Sequence, residues 1–446
     1  MKIVIAGAGA VGFHLSELLS KENQDITLID TDSEVLTHAS RHLDVLTIQG
    51  DATSIHVLEQ INLKKTKLFI AVTTSEKTNL LSAVLAKQLG AKTTVARISN
   101  PEYIDEKNKC RFQDMGVDFL ISPHMLAAME IERLLKRASF TDHFDFENGK
   151  ISIVGFTLDT TSSLTNHTLE QIDSITPDCP FRGIALLRGH DTLIPNQKTM
   201  LRKGDHLYIS TQNKFLGKVM DLVGKQLKPI KSVMIIGGTP IALRTAQLIE
   251  KKYAVTLVLE DEDQGKKFLE KLNRTLVVVA DPGDVEALKE EGLEQKDAFI
   301  ALTKNSETNI ITSLMAEELG VYKTIALVEN INYTHISQNI GIDTIINKKL
   351  MAANEIFRFV RKGKVEAIAS LHGVDAEIIE FEVHKKNRLI HHPVKDLHFP
   401  KKSIIAGVIR GQKSFIPNGD CQFEPNDKVI ILAQPEAIHK VEEIFK

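Results

Sequence analysis

Ile3-Val4-Ile5-Ala6-Gly7-Ala8-Gly9-Ala10-Val11-Gly12 is a short apolar strand that runs directly into a glycine-rich turn. Gly-x-Gly-x-x-Gly is weak evidence alone. Placed after a first strand and opening a helix, with an acid about 20 residues on, it marks a dinucleotide-binding βαβ unit. Gly7 permits the tight turn, Gly9 lets a pyrophosphate approach the backbone, and Gly12 lets the helix pack close to the sheet. The helix start then offers unpaired N–H groups and a positive dipole end to phosphate. Asp30 falls at the end of the second apolar run, where a carboxylate can accept both ribose hydroxyls. Asp30 and Asp32 would repel a 2′-phosphate, which favours NAD(H) or an adenine nucleotide over NADP(H).

The chain then repeats itself. Val233-Met234-Ile235-Ile236 opens into Gly237-Gly238-Thr239-Pro240-Ile241-Ala242. Asp30 matches Glu260, Asp51 matches Asp281, Thr73 matches Thr303 and Asn79 matches Asn309, each pair 230 residues apart. The repeating unit is a whole nucleotide-binding module plus an appendage. The copy departs from its template in the turn: Thr239 replaces the middle glycine and crowds the pyrophosphate approach. Pro240 stands where the helix begins and has no N–H to donate. Leu327 occupies the position of Arg97. The second site is expected to be weakened, altered in specificity or purely structural.

Strand-like runs at 2–6, 25–29, 45–48, 68–72 and 94–97 alternate with helical patterns at 10–19, 33–42, 54–61 and 77–89. That alternation predicts right-handed βαβ units and a parallel sheet covered on both faces. A sixth strand at 119–121 precedes the amphipathic run 126–135. Its face of Leu126, Met129, Ile131, Leu134 and Leu135 would be left partly in water by an isolated lobe, and is expected to be an interface. From about Phe140 the pattern changes to alternating apolar and polar residues at 151–156, 184–188 and 206–210, with a helix at 214–223. This α+β pattern recurs: Arg188, Ile194-Pro195-Asn196 and Asp205 match Arg410, Ile416-Pro417-Asn418 and Asp427, 222 residues apart. Lys225–Lys231 is the linker between halves. The fold class is therefore α/β, with two Rossmann-like doubly wound domains (1–138 and 231–362), each followed by a small α+β module (139–224 and 363–446).

Composition narrows the function classes. The 446 residues are 43% apolar and carry a formal net charge of −3, so no basic field invites nucleic acid. The longest apolar runs, such as 68–72 and 429–433, are five residues, far short of the ~20 that a spanning helix needs. Any membrane association is expected to go through a partner. Cys110, Cys179 and Cys421 are few, odd in number and far apart, which fits a reducing cytoplasm.

Further positions at the carboxyl edge of the first sheet are candidate ligand contacts, since open α/β folds bind there. They are Asp51 in Gly50-Asp51-Ala52-Thr53, Thr73 and Thr74, and Arg97, whose guanidinium suits a phosphate or, failing that, a surface ion pair. Catalytic signals are weak. Tyr103 and Lys107 have the Tyr-x-x-x-Lys spacing of short-chain dehydrogenases, but the glycine pattern differs and the pair comes too early. His38 and His42 stand at i, i+4 without accompanying Cys or carboxylates, which reads as a solvated helix face. His391-His392 reads as a loop. No nucleophile–base pair, paired carboxylates or Cys-x-x-Cys emerges, and a non-enzymatic sensor is expected.

The Gly7–Gly12 turn, Asp30, Gly50–Thr53, Thr73-Thr74 with Thr78-Asn79, and Arg97-Ile98-Ser99-Asn100-Pro101-Glu102-Tyr103 together resemble the family of regulatory subunits of Trk-type potassium uptake (TrkA). The tandem plan of two RCK units covers the whole chain. The resemblance implies a peripheral protein on the cytoplasmic face of the inner membrane that gates a Trk-type potassium-translocating membrane subunit. It implies binding of NAD(H) and of ATP or ADP, and a homo-oligomeric ring, with a tetramer as its expected size. Carried over by position, Gly7, Ala8, Gly9, Ala10 and Val11 would hold the pyrophosphate, Asp30 the ribose and Asp51 the adenine end. Thr73, Thr74 and Arg97 would take the remaining phosphate or ribose groups. Gly237, Gly238, Thr239, Pro240, Ile241 and Glu260 take the corresponding places in the copy. Two rivals stand: a regulator of another potassium channel or antiporter, and an NAD-dependent oxidoreductase.

Overall fold

The computed structural model describes every residue except 21–23, 137–139, 141, 148, 190, 225–227, 330–343, 362–366, 372–373, 386, 398 and 446. The ends of the expected domains at 138, 139, 362 and 363, and the start of the linker at 225–227, lie outside the described residues.

The first sheet is built from β1 (Lys2–Ala6), β2 (Asp25–Asp30), β3 (Leu46–Gln49), β4 (Leu68–Ala71), β5 (Thr93–Arg97) and β6 (Phe119–Ile121). Its order is β3-β2-β1-β4-β5-β6, all parallel. The direction of winding reverses between β1 and β4, which is where a doubly wound sheet opens a crevice at its carboxyl edge. Its inner strands are apolar throughout because helices cover both faces: Ile3, Val4, Ile5, Phe69 and Ile70 are all fully buried. The second parallel sheet has the same order, Leu276–Val279, Ala254–Leu259, Ser232–Ile236, Ala298–Ala301, Lys323–Leu327 and Thr344–Ile346. The two doubly wound sheets and the two antiparallel modules are the fold class read from the sequence.

The chain divides into two compact units, and the division does not follow the repeat. One unit is Met1–Glu130 together with Ile346–Lys362. In it the helix Lys348–Arg361, which follows the last strand of the second sheet, packs on the helix Ala10–Ser20 that follows β1. Ala352, Ala353, Ile356 and Phe357 join Ile5, Val11, Leu15 and Leu19 in one core.

The other unit is Ile131–Ile345 with Gly363–Lys446. The expected wet face at 126–135 is corrected here. Ile131, Leu134 and Leu135 are buried, and only Met129 of the five is exposed. Glu132 beside them accepts from Lys252 at 2.7 Å and pairs with Lys136 at 3.1 Å. Lys323, buried in the second sheet, donates from Nζ to the Phe140 carbonyl at 3.1 Å and to the Thr344 hydroxyl at 2.8 Å.

Each small module is a five-stranded antiparallel sheet. The first has the order Asp191–Leu193, Phe181–Arg188, His206–Thr211, Ile151–Thr157, Asp142–Phe146. Two strands and the helix Leu169–Ile175, which starts at a Thr168/Gln171 capping box, add to the sequence reading. The alternation at 151–156 does not give a wet face, because Ser152 and Ser210 are fully buried. Val154, Phe156 and Leu207 face the module's own helices. Ile151, Ile153, Ile184 and Tyr208 face Ile378, Ala406, Ile409 and Ile430 of the other module. The polar residues shared by the repeat brace the two sheets alike. Arg188 grips Asp205 through Nε at 2.8 Å and a terminal nitrogen at 2.7 Å, and Arg410 grips Asp427 at 2.9 and 2.8 Å.

The exchange of the helix Lys348–Arg361 sets a test. Truncating Ile356 to Ala should cost about 2–5 kcal/mol, as for other fully buried aliphatic side chains. Amide exchange should quicken in Ala10–Ser20, hundreds of residues away in sequence. Faster exchange confined to the second sheet would contradict this packing.

Candidate functional site

The candidate site lies where β1 and β4 diverge. Gly7 leaves β1 with φ of +108°, a conformation that penalises a side chain. A Cβ there would also come within 2.8 Å of the Thr73 amide nitrogen. A Cβ on Gly12 would lie 1.8 Å from the Gly7 carbonyl oxygen, so helix and turn touch backbone to backbone. Gly9 is different. It is exposed, and a Cβ on it would meet nothing within 4 Å. Gly7 and Gly12 are thus demanded by the fold, whereas Gly9 is not. The space in front of Gly9, at the start of the helix Ala10–Ser20, is open.

Asp30 is held beside this opening. Its Oδ2 accepts from the Ala8 amide at 2.6 Å and its Oδ1 from the Asp32 amide at 3.0 Å. A carboxylate offers about four acceptor directions, so those two contacts fix its orientation and leave capacity for a diol. Asp51, at the end of β3, is exposed. The Thr53 amide and hydroxyl, both 2.8 Å from its Oδ1, hold its carboxyl below the usual carboxylate range.

Thr73 and Arg97 are tied together by a residue to which the sequence reading, though it noted it in the repeat and in the family resemblance, gave no role. Asn79 is buried in the helix Glu76–Gln88. Its Oδ1 accepts from the Thr73 amide at 2.8 Å and hydroxyl at 2.7 Å. Its Nδ2 donates to the carbonyls of Thr73 at 3.1 Å and Arg97 at 2.9 Å. The Thr73 hydroxyl is therefore committed, Thr74 is exposed, and Arg97 is half-buried at the end of β5. Glu76 finishes this edge by accepting from the Ser99 and Asn100 amides at 2.8 and 2.9 Å.

The second half keeps this frame and changes the mouth. Gly237 has φ of +113°, and Asn309 repeats the staple between Thr303 and Leu327. Thr239, opposite Gly9 in the repeat, is buried. Its hydroxyl donates to the Leu302 carbonyl at 2.8 Å and accepts from the Ala242 amide at 3.3 Å, capping the helix Pro240–Ile249. Gln264 reaches back to donate to the Gly238 carbonyl at 2.5 Å. The expected match of Asp30 with Glu260 is corrected here: the second strand is shifted by one residue, so buried Leu259 ends it where Asp30 ends β2, and Glu260 follows, exposed. Leu327 is buried where Arg97 stands in the first half.

Among the described residues no cluster of three or more His, Cys, Asp or Glu could hold a metal, and no helix is long and apolar enough to cross a membrane. His38 and His42 are exposed and stack on each other with ring centroids 4.3 Å apart. Tyr103 lies in a 3₁₀ turn, edge-on to Phe112, while Lys107 belongs to the next helix. They do not share a helix face as a Tyr-x-x-x-Lys pair must.

Two nucleotide-type crevices in tandem, one open and one filled by its own side chains, are what the fold presents. The TrkA-N domain model matches residues 3–123 and 233–348, and the TrkA-C domain model matches 378–446. The chain belongs to the TrkA family. It is 31% identical to the Trk system potassium uptake protein TrkA of Haemophilus influenzae, covering all of this chain and 99% of that one. The identity is again 31% to the TrkA homolog of Archaeoglobus fulgidus, over the full length of both. Among solved structures it resembles the GsuK channel bound to NAD, with a TM-score of 0.60 at 15% identity over all of this chain and 78% of that one. GsuK bound to ADP gives 0.51 at 14% identity over 80% of this chain and 69% of that one. These structural likenesses show the shared RCK fold.

The Asn79 staple sets the second test. Asn79→Ala would strand a buried amide at the strand end, at a cost of about 1–3 kcal/mol. Asn309→Ala should cost about the same, since the second frame is identical. Urea unfolding of both variants measures this, and a loss confined to one of them would mean that the two frames are not equivalent.

Proposed function

We propose that the chain is a nucleotide-sensing regulatory subunit that gates a Trk-type potassium-uptake membrane protein, and that the first crevice is its NAD(H) site. The observation that carries this reading is the open helix start at Gly9 beside an oriented Asp30. A pyrophosphate there would meet the amides of Gly9, Ala10 and Val11, those of Gly7 and Ala8 being bonded to the Ile29 carbonyl and to Asp30, and Asp30 would accept the ribose hydroxyls. Asp51, Thr74 and Arg97 line the same edge and would reach the adenine end and the phosphates. ATP or ADP would use the same amides. The domain plan behind this reading is 1–138, 139–224, 231–362 and 363–446.

A bound nucleotide changes a gate only through differential affinity for two conformations. The crevice is bordered by the ends of β1, β2, β4 and β5, so a ligand bridging them would bias their spacing. The Lys348–Arg361 helix, which comes from the second half of the sequence, packs on the helix that starts at this turn. The working form in this reading is a homo-oligomeric ring, a tetramer, lying peripherally on the cytoplasmic face of the inner membrane against the potassium-translocating subunit. Its role is non-enzymatic, with nicotinamide as a signal rather than a hydride source, and it needs no nucleic acid.

Two measurements test this. Charged hydrogen bonds contribute about 1.5–3 kcal/mol each, so Asp30→Ala should weaken NADH binding by roughly one to two orders of magnitude. Glu260→Ala should change it much less. Calorimetric titration reads both, and equal losses would mean that both halves take the same ligand. Separately, the protein mixed with NADH and a panel of oxo-acids and aldehydes should leave cofactor absorbance unchanged. Sustained oxidation in proportion to protein would point to an oxidoreductase instead.

A further inference from the structure

We propose that Gln264 and Thr239 are a built-in plug that stands in for a nucleotide, so that each chain takes one nucleotide, in its first half only. The inference rests on the first crevice being the nucleotide site.

Both helices that follow a first strand begin with amides that lack intrahelical partners. In the second half the Thr239 hydroxyl accepts from the Ala242 amide at 3.3 Å and is itself anchored on the Leu302 carbonyl at 2.8 Å. That hydroxyl does for the helix start what a phosphate oxygen does at an open turn. Pro240, next in line, has removed one of the remaining donors. The helix end is thereby satisfied from within.

Gln264 fills the neighbouring space. The ribose of a bound nucleotide would lie between the residue closing the second strand and the residue after the first glycine, here Leu259 and Gly238. Gln264 is anchored in the helix Glu262–Leu269, whose cap Asp261 accepts from the Gln264 amide at 2.8 Å. From there its carboxamide crosses to the Gly238 carbonyl at 2.5 Å. A Cβ on Gly238 would lie 2.5 Å from its Oε1, which shows how closely the side chain sits on the turn. Counted from the helix caps Asp32 and Asp261, the counterpart in the first half is Val35, an apolar side chain packed on the core, and there the Ala8 amide is bonded to Asp30 instead. Leu259, which takes the place of Asp30 in the second half, has no carboxylate to make that contact. A neutral amide is suited to plugging, because it brings no charge beside Glu260.

Filled in this way, the second half holds its strand ends together without a ligand. The two positions can be exchanged between halves. A side chain at Gly9 meets nothing within 4 Å, so Gly9→Thr is compatible with the fold.

The test is calorimetry with NADH on the full-length protein, with circular dichroism and melting temperature read in parallel. The unmodified chain should bind one NADH per chain. Transplanting the plug, as Gly9→Thr with Val35→Gln, should weaken that binding by about tenfold or more, the equivalent of one lost hydrogen bond, in a variant that circular dichroism shows to be folded. Removing it, as Thr239→Gly, Pro240→Ala and Gln264→Ala together, should create a second NADH equivalent. Gln264→Ala alone, which spares the helix cap, should do so more weakly if the triple variant unfolds. Two equal equivalents in the unmodified chain overturn the plug, as does undiminished affinity after the transplant. So do folded unplugged variants, triple or single, that still take one NADH. An unmodified chain that binds no NADH refutes the nucleotide site itself, and is distinguishable because the transplant then has nothing to weaken.

Discussion

A helix that begins at the end of a buried strand exposes amides that something negative must meet. In a doubly wound sheet this demand is fixed in place, because the strand order puts the first helix start at the reversal point between β1 and β4. Much of what distinguishes the two halves of this chain follows from how that one demand is met. In the first half no side chain stands at Gly9 and the carboxylate of Asp30 is tied to the Ala8 amide. In the second, Thr239 supplies an oxygen and Gln264 covers the turn. The frames beneath are otherwise alike, down to the asparagine that pins the strand ends in each.

Duplication within one chain also changes what burial means. In a repeat of independent domains each core would close on itself. Here the helix Lys348–Arg361 completes the core of the first sheet, and the two small modules bury their sheets against each other through Ile153, Ile184 and Tyr208 on one side and Ile378, Ala406 and Ile430 on the other. The Arg182 guanidinium reinforces that contact by donating to the carbonyls of Ile405 and Pro417. Burial holds this arginine's pKa below the ordinary value, while Asp173 nearby opposes the shift. Desolvation of a cation costs several kcal/mol in a protein interior. The two carbonyl acceptors therefore matter as much to its placement as the apolar surface around it.

The parts of this structure that were legible in the sequence are those governed by local rules. Apolar runs of four to six residues between amphipathic helices gave the parallel sheets. The glycines of the turn and the spacing to Asp30 gave the crevice. Residues repeated 230 or 222 positions apart gave the tandem plan. What was not legible depends on which surfaces meet. Ser152 and Ser210 alternate with apolar residues as on a half-wet strand, yet both are fully buried, Ser152 on the face covered by the module's own helices and Ser210 on the face covered by the other module. Ile131 and Leu135 look like a surface awaiting a partner and are buried by the chain's own fold. Gln264 could have been found by asking which polar residue replaces Val35 in the copy, but only the fold brings it to Gly238.

The contrast between Gly9 and its neighbours separates two reasons for a glycine. Gly7 and Gly12 are required by the polypeptide itself, since a Cβ at either would strike backbone. Gly7 recurs as Gly237 in the second turn, whereas that turn accommodates Ala242 at the position of Gly12. Gly9 has room for a side chain and the φ to carry one, so folding does not explain it. The copy shows what happens when the position is released: a threonine takes it, caps the helix and stays buried. Capping by Ser or Thr typically stabilises a helix by about 1 kcal/mol relative to an uncapped start. A chain that forgoes this at Gly9 while accepting it at Thr239 keeps one helix start unsatisfied, and an unsatisfied helix start is a place for an anion to bind.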